Sequence, residues 1–193
     1  MVQQIAASIT RYSISRNWID DSQREWCQYA MEKQLGQLLF GCMSLVLMIC
    51  TQTWLPMISF ISVCYLFRAR MGGWHARHIW SCQLLSMGTV IVAVFVLGPI
   101  IEQINCHLLF CIDALIILVT LIMPPIYPIE AHFSQSVKKA NAKRKNQMLV
   151  CLLILQFISL LAGGTEFILY SLIGLVFTDF SVFLQYLNSK EDE

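Results

Sequence analysis

The chain has 193 residues, of which 57% are hydrophobic and 13% are charged. Its apolar content exceeds the roughly 45 to 50% of an average soluble domain, which excludes a soluble enzyme and indicates an integral membrane protein. The formal net charge of +1 gives no reason to expect a nucleic-acid partner. Because one crossing takes about 17 to 25 residues, the length predicts a single all-α membrane domain of about six transmembrane helices.

Residues 1–37 mix polar and apolar side chains, with apolar and aromatic residues at loosely helical intervals. This pattern predicts an amphipathic N-terminal helical arm, either at the membrane interface or solvated and packed on its own protein. The segment has no short basic region leading straight into an apolar core and a small-residue cleavage site. We therefore do not expect a cleavable signal peptide.

Six apolar runs follow the arm and predict a transmembrane domain over 38–187, with a tail at 188–193. Pro56 separates the first two runs. The second is too short to cross a hydrocarbon core of about 30 Å, so we expect it to extend into the polar segment behind it. The six runs are 38–55, 57–67, 84–101, 108–123, 148–162 and 167–187.

The distribution of Lys and Arg favours six crossings with both termini in the cytoplasm. All 13 of these residues then fall in cytoplasmic segments, whereas the outer connections at Pro56, 102–107 and 163–166 carry none. This arrangement follows the positive-inside rule, and a five-crossing topology would move half of the charges outside. The cytoplasmic segments are 1–37, 68–83, 124–147 and 188–193.

Residues 124–147 are predicted to form the longest loop, because three prolines at its start disfavour a regular helix. A basic cluster follows them. Such a cluster is typical of a topology signal or an anchor to anionic lipid, and the alternative is docking of an acidic peptide. The cluster consists of Lys138, Lys139, Lys143, Arg144 and Lys145.

The polar stretch 68–82 carries the residues best suited to chemistry. Most of the eight cysteines lie in or beside apolar runs, where a free cysteine behaves as a small hydrophobe, but Cys82 lies close to His75 and His78. A histidine beside a cysteine can form a nucleophilic thiolate. Gly72 and Gly73 permit a sharp turn or the close approach of an extended substrate.

The spacing leaves several interpretations of this stretch open. In a continuous helix His78 lies about 6 Å along the axis from Cys82 and His75 about 10.5 Å, so His78 is the better base unless the chain bends. The three residues also share a helical face and could bind a metal, although no fourth ligand is evident. The arginine-rich turn could equally be a simple helix anchor.

The pattern Arg68-x-x-x-Gly72-Gly73-x-His75-Ala76, followed by Cys82, resembles the accessory gene regulator protein B (AgrB) family of Gram-positive bacteria. Chain length, the polar arm, the number of apolar runs and the proline-bearing basic segment extend the resemblance to nearly the whole chain. It implies a multi-pass cell-membrane cysteine endopeptidase that processes the precursor of a quorum-sensing autoinducer peptide. By this resemblance Cys82 is the nucleophile and His75 the catalytic histidine, with Arg68, Gly72 and Gly73 in a supporting motif.

The resemblance also implies the course of the reaction. Cys82 cleaves the C-terminal tail from a short AgrD-like propeptide through a thioester, and a thiol or hydroxyl of the propeptide then closes a thiolactone or lactone ring. We expect no cofactor and no metal, and the sequence leaves a homodimer open. His78 matches no known position of the family.

The alternative function is a small membrane transporter or peptide exporter without proteolytic activity. Asp113 and Asp179 motivate it, because ionisable residues inside apolar runs are candidates for function. No internal repeat or pair of broken helices supports it. In the six-crossing topology Asp113 is expected to lie too far from His75 to orient it, and Asp179 is the better candidate.

Overall fold

The computed structural model describes residues 2–74, 79–127 and 134–191, and these ranges are almost wholly helical. No strand occurs within them, and one isolated bridge joins Gly72 to Ile126. The predicted all-α class is confirmed. In chain order the helices are α1 (Val2–Ser15), a 3-10 turn (Asp21–Gln23), α2 (Arg24–Thr51), α3 (Trp54–Met71), α4 (Ile79–Ile91), a π-helical segment (Val92–Leu97), α5 (Gly98–Ile101), α6 (Cys106–Ile122), α7 (Gln135–Leu161) and α8 (Thr165–Glu191).

The six apolar runs fall in order on α2, α3, the continuous stretch from α4 to α5, α6, α7 and α8. Within the described ranges, four helical stretches are long and apolar enough to cross a membrane, whereas Cys106–Ile122 is apolar but shorter. An integral membrane protein is therefore supported by helix length and composition. The four stretches are Asp21–Thr51, Trp80–Ile101, Gln135–Leu161 and Thr165–Asn188.

Two predicted boundaries differ from the observed ones. The first break comes at residues 52–53, where Gln52 has a φ of 57°, so Pro56 lies in the first turn of α3 rather than at the break. A first-turn proline is tolerated because its missing amide has no intrahelical partner there. The start of the transmembrane domain at residue 38, which lies inside α2, stays a prediction.

The second difference concerns the basic segment, which was predicted to be a loop as far as residue 147. Helix α7 already begins at Gln135, because the Ser134 side chain accepts a hydrogen bond from the Val137 amide and caps the first turn. The prolines affect only the chain before this cap. The whole basic cluster therefore lies on a helix, with regular spacing between its side chains.

The π-helical segment Val92–Leu97 lies immediately before Pro99. A proline inside a helix lacks an amide donor, and its ring collides with the carbonyl four residues earlier. The wider π-helical turn is one of the known ways to relieve this conflict. The third apolar run, 84–101, thus continues past its proline instead of ending at it.

The described residues divide into two compact units, and the first contains residues 2–52 and 79–88. In it, α1 packs on α2 through buried Ala6, Thr10 and Cys27, and the Thr10 hydroxyl donates to the Cys27 sulfur at 3.9 Å. The outer face of α1 exposes apolar side chains such as Ile5 and Tyr12. Helix α1 lies within the predicted N-terminal arm of residues 1–37, whose last part, from Arg24, belongs to α2.

The second unit contains residues 53–74, 89–127 and 134–191. One apolar cluster of its core is contributed by α3, α6, α7 and α8. Helices α3 and α8 approach closely at Gly174, where an added Cβ would lie 3.0 Å from the Phe60 carbonyl oxygen. The C-terminal end of α3 joins the cluster through Phe67 and Met71. The cluster consists of Val63, Phe67, Met71, Ile117, Leu149, Leu152, Leu175 and Val182.

Candidate functional site

Gly72 and Gly73 end α3 with backbone angles that other residues avoid, at φ of 80° and 130°. The Gly72 amide donates to the Arg68 carbonyl at 3.0 Å, and the Ile126 amide donates to the Met71 carbonyl at 2.8 Å. An added Cβ would lie 2.0 Å from the Ile126 carbonyl oxygen at Gly72, and 2.7 Å from the Ser181 hydroxyl at Gly73. Both positions therefore require glycine for conformation and for space.

The sequence predicted that the glycines would allow close approach of an extended substrate. In the structure, the close approach at both Cβ positions comes from the protein's own chain, namely Ile126 and Ser181. Gly72 and Gly73 therefore allow the turn to pack closely against the segment after α6 and against α8.

Trp74 is held at both of its backbone polar groups. Its amide donates to the Ser181 carbonyl at 3.0 Å, and its carbonyl accepts from the Arg68 guanidinium. Arg68 is thus a structural member of the motif, because it closes the turn formed by residues 72–74. The chain enters position 75 from a backbone that is bonded on two sides.

A second set of polar contacts holds α3 to α7. The Arg70 guanidinium donates to the Asn141 side-chain oxygen at 3.5 Å, and the Asn141 amide donates to the Tyr127 hydroxyl at 2.9 Å. That hydroxyl donates in turn to the Arg70 carbonyl. Burial raises the pKa of Tyr127, which keeps the hydroxyl in its neutral, donating form.

Lys145 is buried, with only 2% of its surface exposed. Its ammonium group donates to the carbonyl oxygens of Thr120, Leu121 and Met123 at 2.7, 3.2 and 2.6 Å. These carbonyls belong to the last turn of α6, where no intrahelical donors remain, and a cation there also complements the helix dipole. Lys145 therefore caps α6 immediately before the segment that contacts Gly72.

Asp179 lies beside this cap. Its carboxylate accepts from the Thr120 hydroxyl at 2.6 Å, while its second oxygen is buried without a hydrogen-bond partner. Asp179 is two residues before Ser181 on α8, so the cap and the motif turn share one stretch of that helix. Whether it orients His75 stays a prediction.

The five residues of the predicted docking cluster do not have equal exposure. Lys138, Lys139, Lys143 and Arg144 are exposed on α7, whereas Lys145 is enclosed and bonded to α6. The structure thus corrects the composition of the cluster. Four basic side chains remain accessible to an acidic peptide or to lipid.

Cys82 lies in the first unit, in the first described turn of α4, and is half-buried. Its neighbour Gln83 donates to the Gly36 carbonyl at 2.8 Å, which ties this part of α4 to α2. All eight cysteines are free thiols. His75 and His78 lie outside the described residues, so the choice of base for Cys82 stays a prediction.

Metal binding was one interpretation of His75, His78 and Cys82, and two of these residues lie outside the described ranges. In the part of the chain that the structure describes, no three His, Cys, Asp or Glu side chains are grouped as metal ligands. The metal interpretation gains no support from the remaining residues.

Sequence reasoning did not identify the partners of the motif turn, which are Ser181, Ile126, Tyr127 and Asn141. No local pattern marks Ser181 or Ile126, because they contribute mainly backbone groups. Asn141 does carry a signal. It precedes Lys145 by four residues and Leu149 by eight, so it lies on the same helical face as the core of α7.

The comparisons with known proteins gave one match. The profile of the family described as "Accessory gene regulator B" matches residues 2–186, which is nearly the whole chain. No curated protein and no solved structure matches.

Proposed function

The chain belongs to the accessory gene regulator B family, whose members take part in autoinducer peptide processing, and from this premise we propose that it is a membrane cysteine endopeptidase. Its substrate is a short AgrD-like propeptide. It removes the propeptide's C-terminal tail and promotes closure of a thiolactone or lactone ring.

In this proposal the Cys82 thiolate attacks the carbonyl carbon of the peptide bond before the tail. The C–N bond breaks, His75 gives a proton to the departing amine, and the N-terminal part of the propeptide stays attached to Cys82 as a thioester. A thiol or hydroxyl within the propeptide then attacks the thioester, which releases Cys82 and closes the ring. No cofactor takes part.

The observation that best supports the proposal is the constraint on the turn before His75. Gly72 and Gly73 are packed too tightly to accept a side chain, and the Trp74 backbone is bonded to Ser181 and Arg68. Catalysis depends on placing a base within hydrogen-bond reach of its partner. The constraint on this turn supports a catalytic role for the motif, because a simple arginine-rich helix anchor would not need it.

The choice of His75 over His78 as the base rests on the family resemblance. Helix α3 ends at Met71 and the chain turns at Gly72 and Gly73, which lie before both histidines. The spacing argument concerns residues 75–82, of which residues 75–78 lie outside the described ranges. We keep His75 as the proposed base, with His78 as the alternative.

The proposed topology has six crossings by α2, α3, α4–α5, α6, α7 and α8 in one membrane domain, with both termini in the cytoplasm. Four of these stretches are long and apolar enough to span alone. The exposed cluster of Lys138, Lys139, Lys143 and Arg144 is then cytoplasmic, where it can serve as a topology signal and as a dock for an acidic tail. The proposed location is the cell membrane of a Gram-positive bacterium, and a homodimer is compatible with the proposal.

Cleavage assays with single variants test the proposal. With a propeptide carrying separate tags on its two ends, Cys82→Ala should abolish release of the tail while the protein still inserts. Cys151→Ala is the matched control, because Cys151 is an exposed free thiol on α7. His75→Ala should also abolish release, and His78→Ala should keep most of it.

The outcome that would overturn the proposal is continued tail release by Cys82→Ala. Transport of the labelled propeptide by that variant, with no cleavage by the wild-type protein, would support the transporter alternative instead. Activity lost in His78→Ala and kept in His75→Ala would reassign the base.

A further inference from the structure

Asp113 on α6 is fully buried in the second unit, and neither of its carboxyl oxygens has a hydrogen-bond partner. Gln156 on α7 is also fully buried, and its side-chain oxygen has no partner. The Gln156 side chain is the polar neighbour of the Asp113 carboxyl. Three unpaired acceptor atoms therefore lie in an apolar region, where most buried polar groups are hydrogen-bonded.

The orientation of Gln156 is set by Ser171 on α8. The Gln156 side-chain nitrogen donates to the Ser171 hydroxyl at 2.7 Å, and that hydroxyl donates to the Phe167 carbonyl at 2.6 Å. Ser171 is itself fully buried. One amide hydrogen of Gln156 is thus committed to Ser171, while its oxygen and its second amide hydrogen remain for another partner.

An ionised carboxylate at this place has no compensating positive charge. Asp113 forms no salt bridge in the ranges 2–74, 79–127 and 134–191, and an isolated buried carboxylate is so costly that such groups become neutral instead. A carboxylate also cannot donate to the free oxygen of Gln156. A neutral carboxylic acid can, because it carries one O–H donor and one accepting carbonyl, which complement the two free sites of the amide.

We propose that Asp113 is a proton-binding site inside the helix bundle, in which the neutral acid donates its O–H to the Gln156 side-chain oxygen. The second Gln156 amide hydrogen then lies on the side of the Asp113 carbonyl oxygen, and Ser171 completes the chain of polar groups to α8. One proton thereby satisfies acceptors that the folded chain leaves unpaired. The site links α6, α7 and α8.

A metal ion is the competing occupant, and the ligand count disfavours it. Hard cations such as Ca²⁺ take about 6 to 8 oxygen ligands, and Mg²⁺ requires near-octahedral geometry. The Asp113 and Gln156 side chains offer three free oxygens. A proton on the Asp113 carboxyl needs only one nearby acceptor, and the Gln156 side-chain oxygen can serve as that acceptor.

This inference does not depend on the proposed peptidase activity. Asp113 lies on α6 seven residues before Thr120, which is about 10.5 Å along the helix from the Lys145 cap. Asp113→Asn keeps a neutral group with a donor and an acceptor. Tail release should therefore be unchanged in this variant.

Infrared spectroscopy of the full-length protein in lipid nanodiscs at neutral pH tests the site. We expect a carbonyl-stretch band of a protonated carboxylic acid, which should disappear in Asp113→Asn. Glu166→Gln is the matched control, because it removes an exposed carboxyl from α8 and should leave the band intact. Gln156→Leu keeps the acid but removes its acceptor, so the band should move to higher frequency.

Each result bears on the proposal. No acid band at neutral pH, or a band that persists unchanged in Asp113→Asn, would overturn it. If Asp113→Asn fails to fold, a band that does not shift in Gln156→Leu would also overturn it. Thermal unfolding in sodium chloride and in an equal concentration of N-methylglucamine chloride should give the same midpoint, whereas stabilisation by sodium that Gln156→Leu abolishes would replace the proton by a metal ion.

Discussion

Replacing Lys145 by methionine should destabilise the second unit strongly. Methionine has a similar length and retains the apolar stem, but it removes the ammonium group from the Thr120, Leu121 and Met123 carbonyls. Two of these bonds are short, at 2.7 and 2.6 Å. A hydrogen bond to a charged group contributes about 1.5–3 kcal/mol, so the expected loss is about 3–6 kcal/mol. Because typical stabilities are about 5–15 kcal/mol, this is a large part of the total.

The matched control is Lys143→Met, on the same helix but exposed. A surface substitution of this kind usually changes stability by less than about 0.5 kcal/mol. Lys145→Arg should fall between the two, because a planar guanidinium keeps the charge but cannot converge on three carbonyls in the same way. Unfolding would be followed by reversible denaturation in mixed micelles. Equal stability of Lys145→Met and Lys143→Met would refute the assignment of Lys145 as the cap of α6.

Three further changes test the packing of the motif turn. Gly73→Ala should abolish tail release at normal membrane insertion. The φ of 130° at Gly73 and the Ser181 hydroxyl, 2.7 Å from the added Cβ, both oppose a side chain. Normal activity of this variant would show that the turn tolerates movement. Ser181→Ala should retain activity, since Trp74 binds the Ser181 backbone carbonyl, and loss of activity would show a role for the hydroxyl. Tyr127→Phe should lower stability by about 1–2 kcal/mol in the same denaturation assay, because it removes the hydroxyl between Arg70 and Asn141. An unchanged unfolding midpoint would contradict the role of this hydroxyl.

The helical framework was largely predictable, because long apolar runs specify membrane helices through length and composition. Helix boundaries were less predictable. The apolar pattern predicts a break at Pro56, but the chain breaks at Gln52 and accepts the proline in the first turn of α3. Pro99 lies inside an apolar run, and the structure accommodates it with a π-helical turn.

The basic cluster shows how helical phase can separate residues that look alike in the sequence. Lys143, Arg144 and Lys145 are consecutive, yet only Lys145 is buried. Extending the buried face of α7 backward from Leu149 in steps of four reaches Lys145 and then Asn141. This periodicity is present in the sequence, but the prolines at the start of the segment favour a loop.

The surroundings of the motif turn could not be predicted in the same way. Gly72 and Gly73 indicated a close approach, but the approaching groups come from residues more than 50 positions away, in the segment after α6 and on α8. At Gly72 the approaching group is the Ile126 backbone carbonyl, and at Gly73 it is the Ser181 hydroxyl. Tertiary packing brings both groups to the turn, and no local sequence pattern marks them.

The central claim is that Cys82 carries the propeptide as a thioester, and mass spectrometry of the intact protein tests it most directly. Wild-type protein in nanodiscs would be mixed with a propeptide whose ring-closing residue is replaced by alanine, so that the intermediate cannot cyclise. We expect an adduct equal in mass to the N-terminal part of the propeptide, located on Cys82 by fragmentation, sensitive to hydroxylamine and missing from Cys82→Ala. An adduct on another cysteine, or tail release with no adduct in the wild-type protein and continued release in Cys82→Ala, would contradict the account.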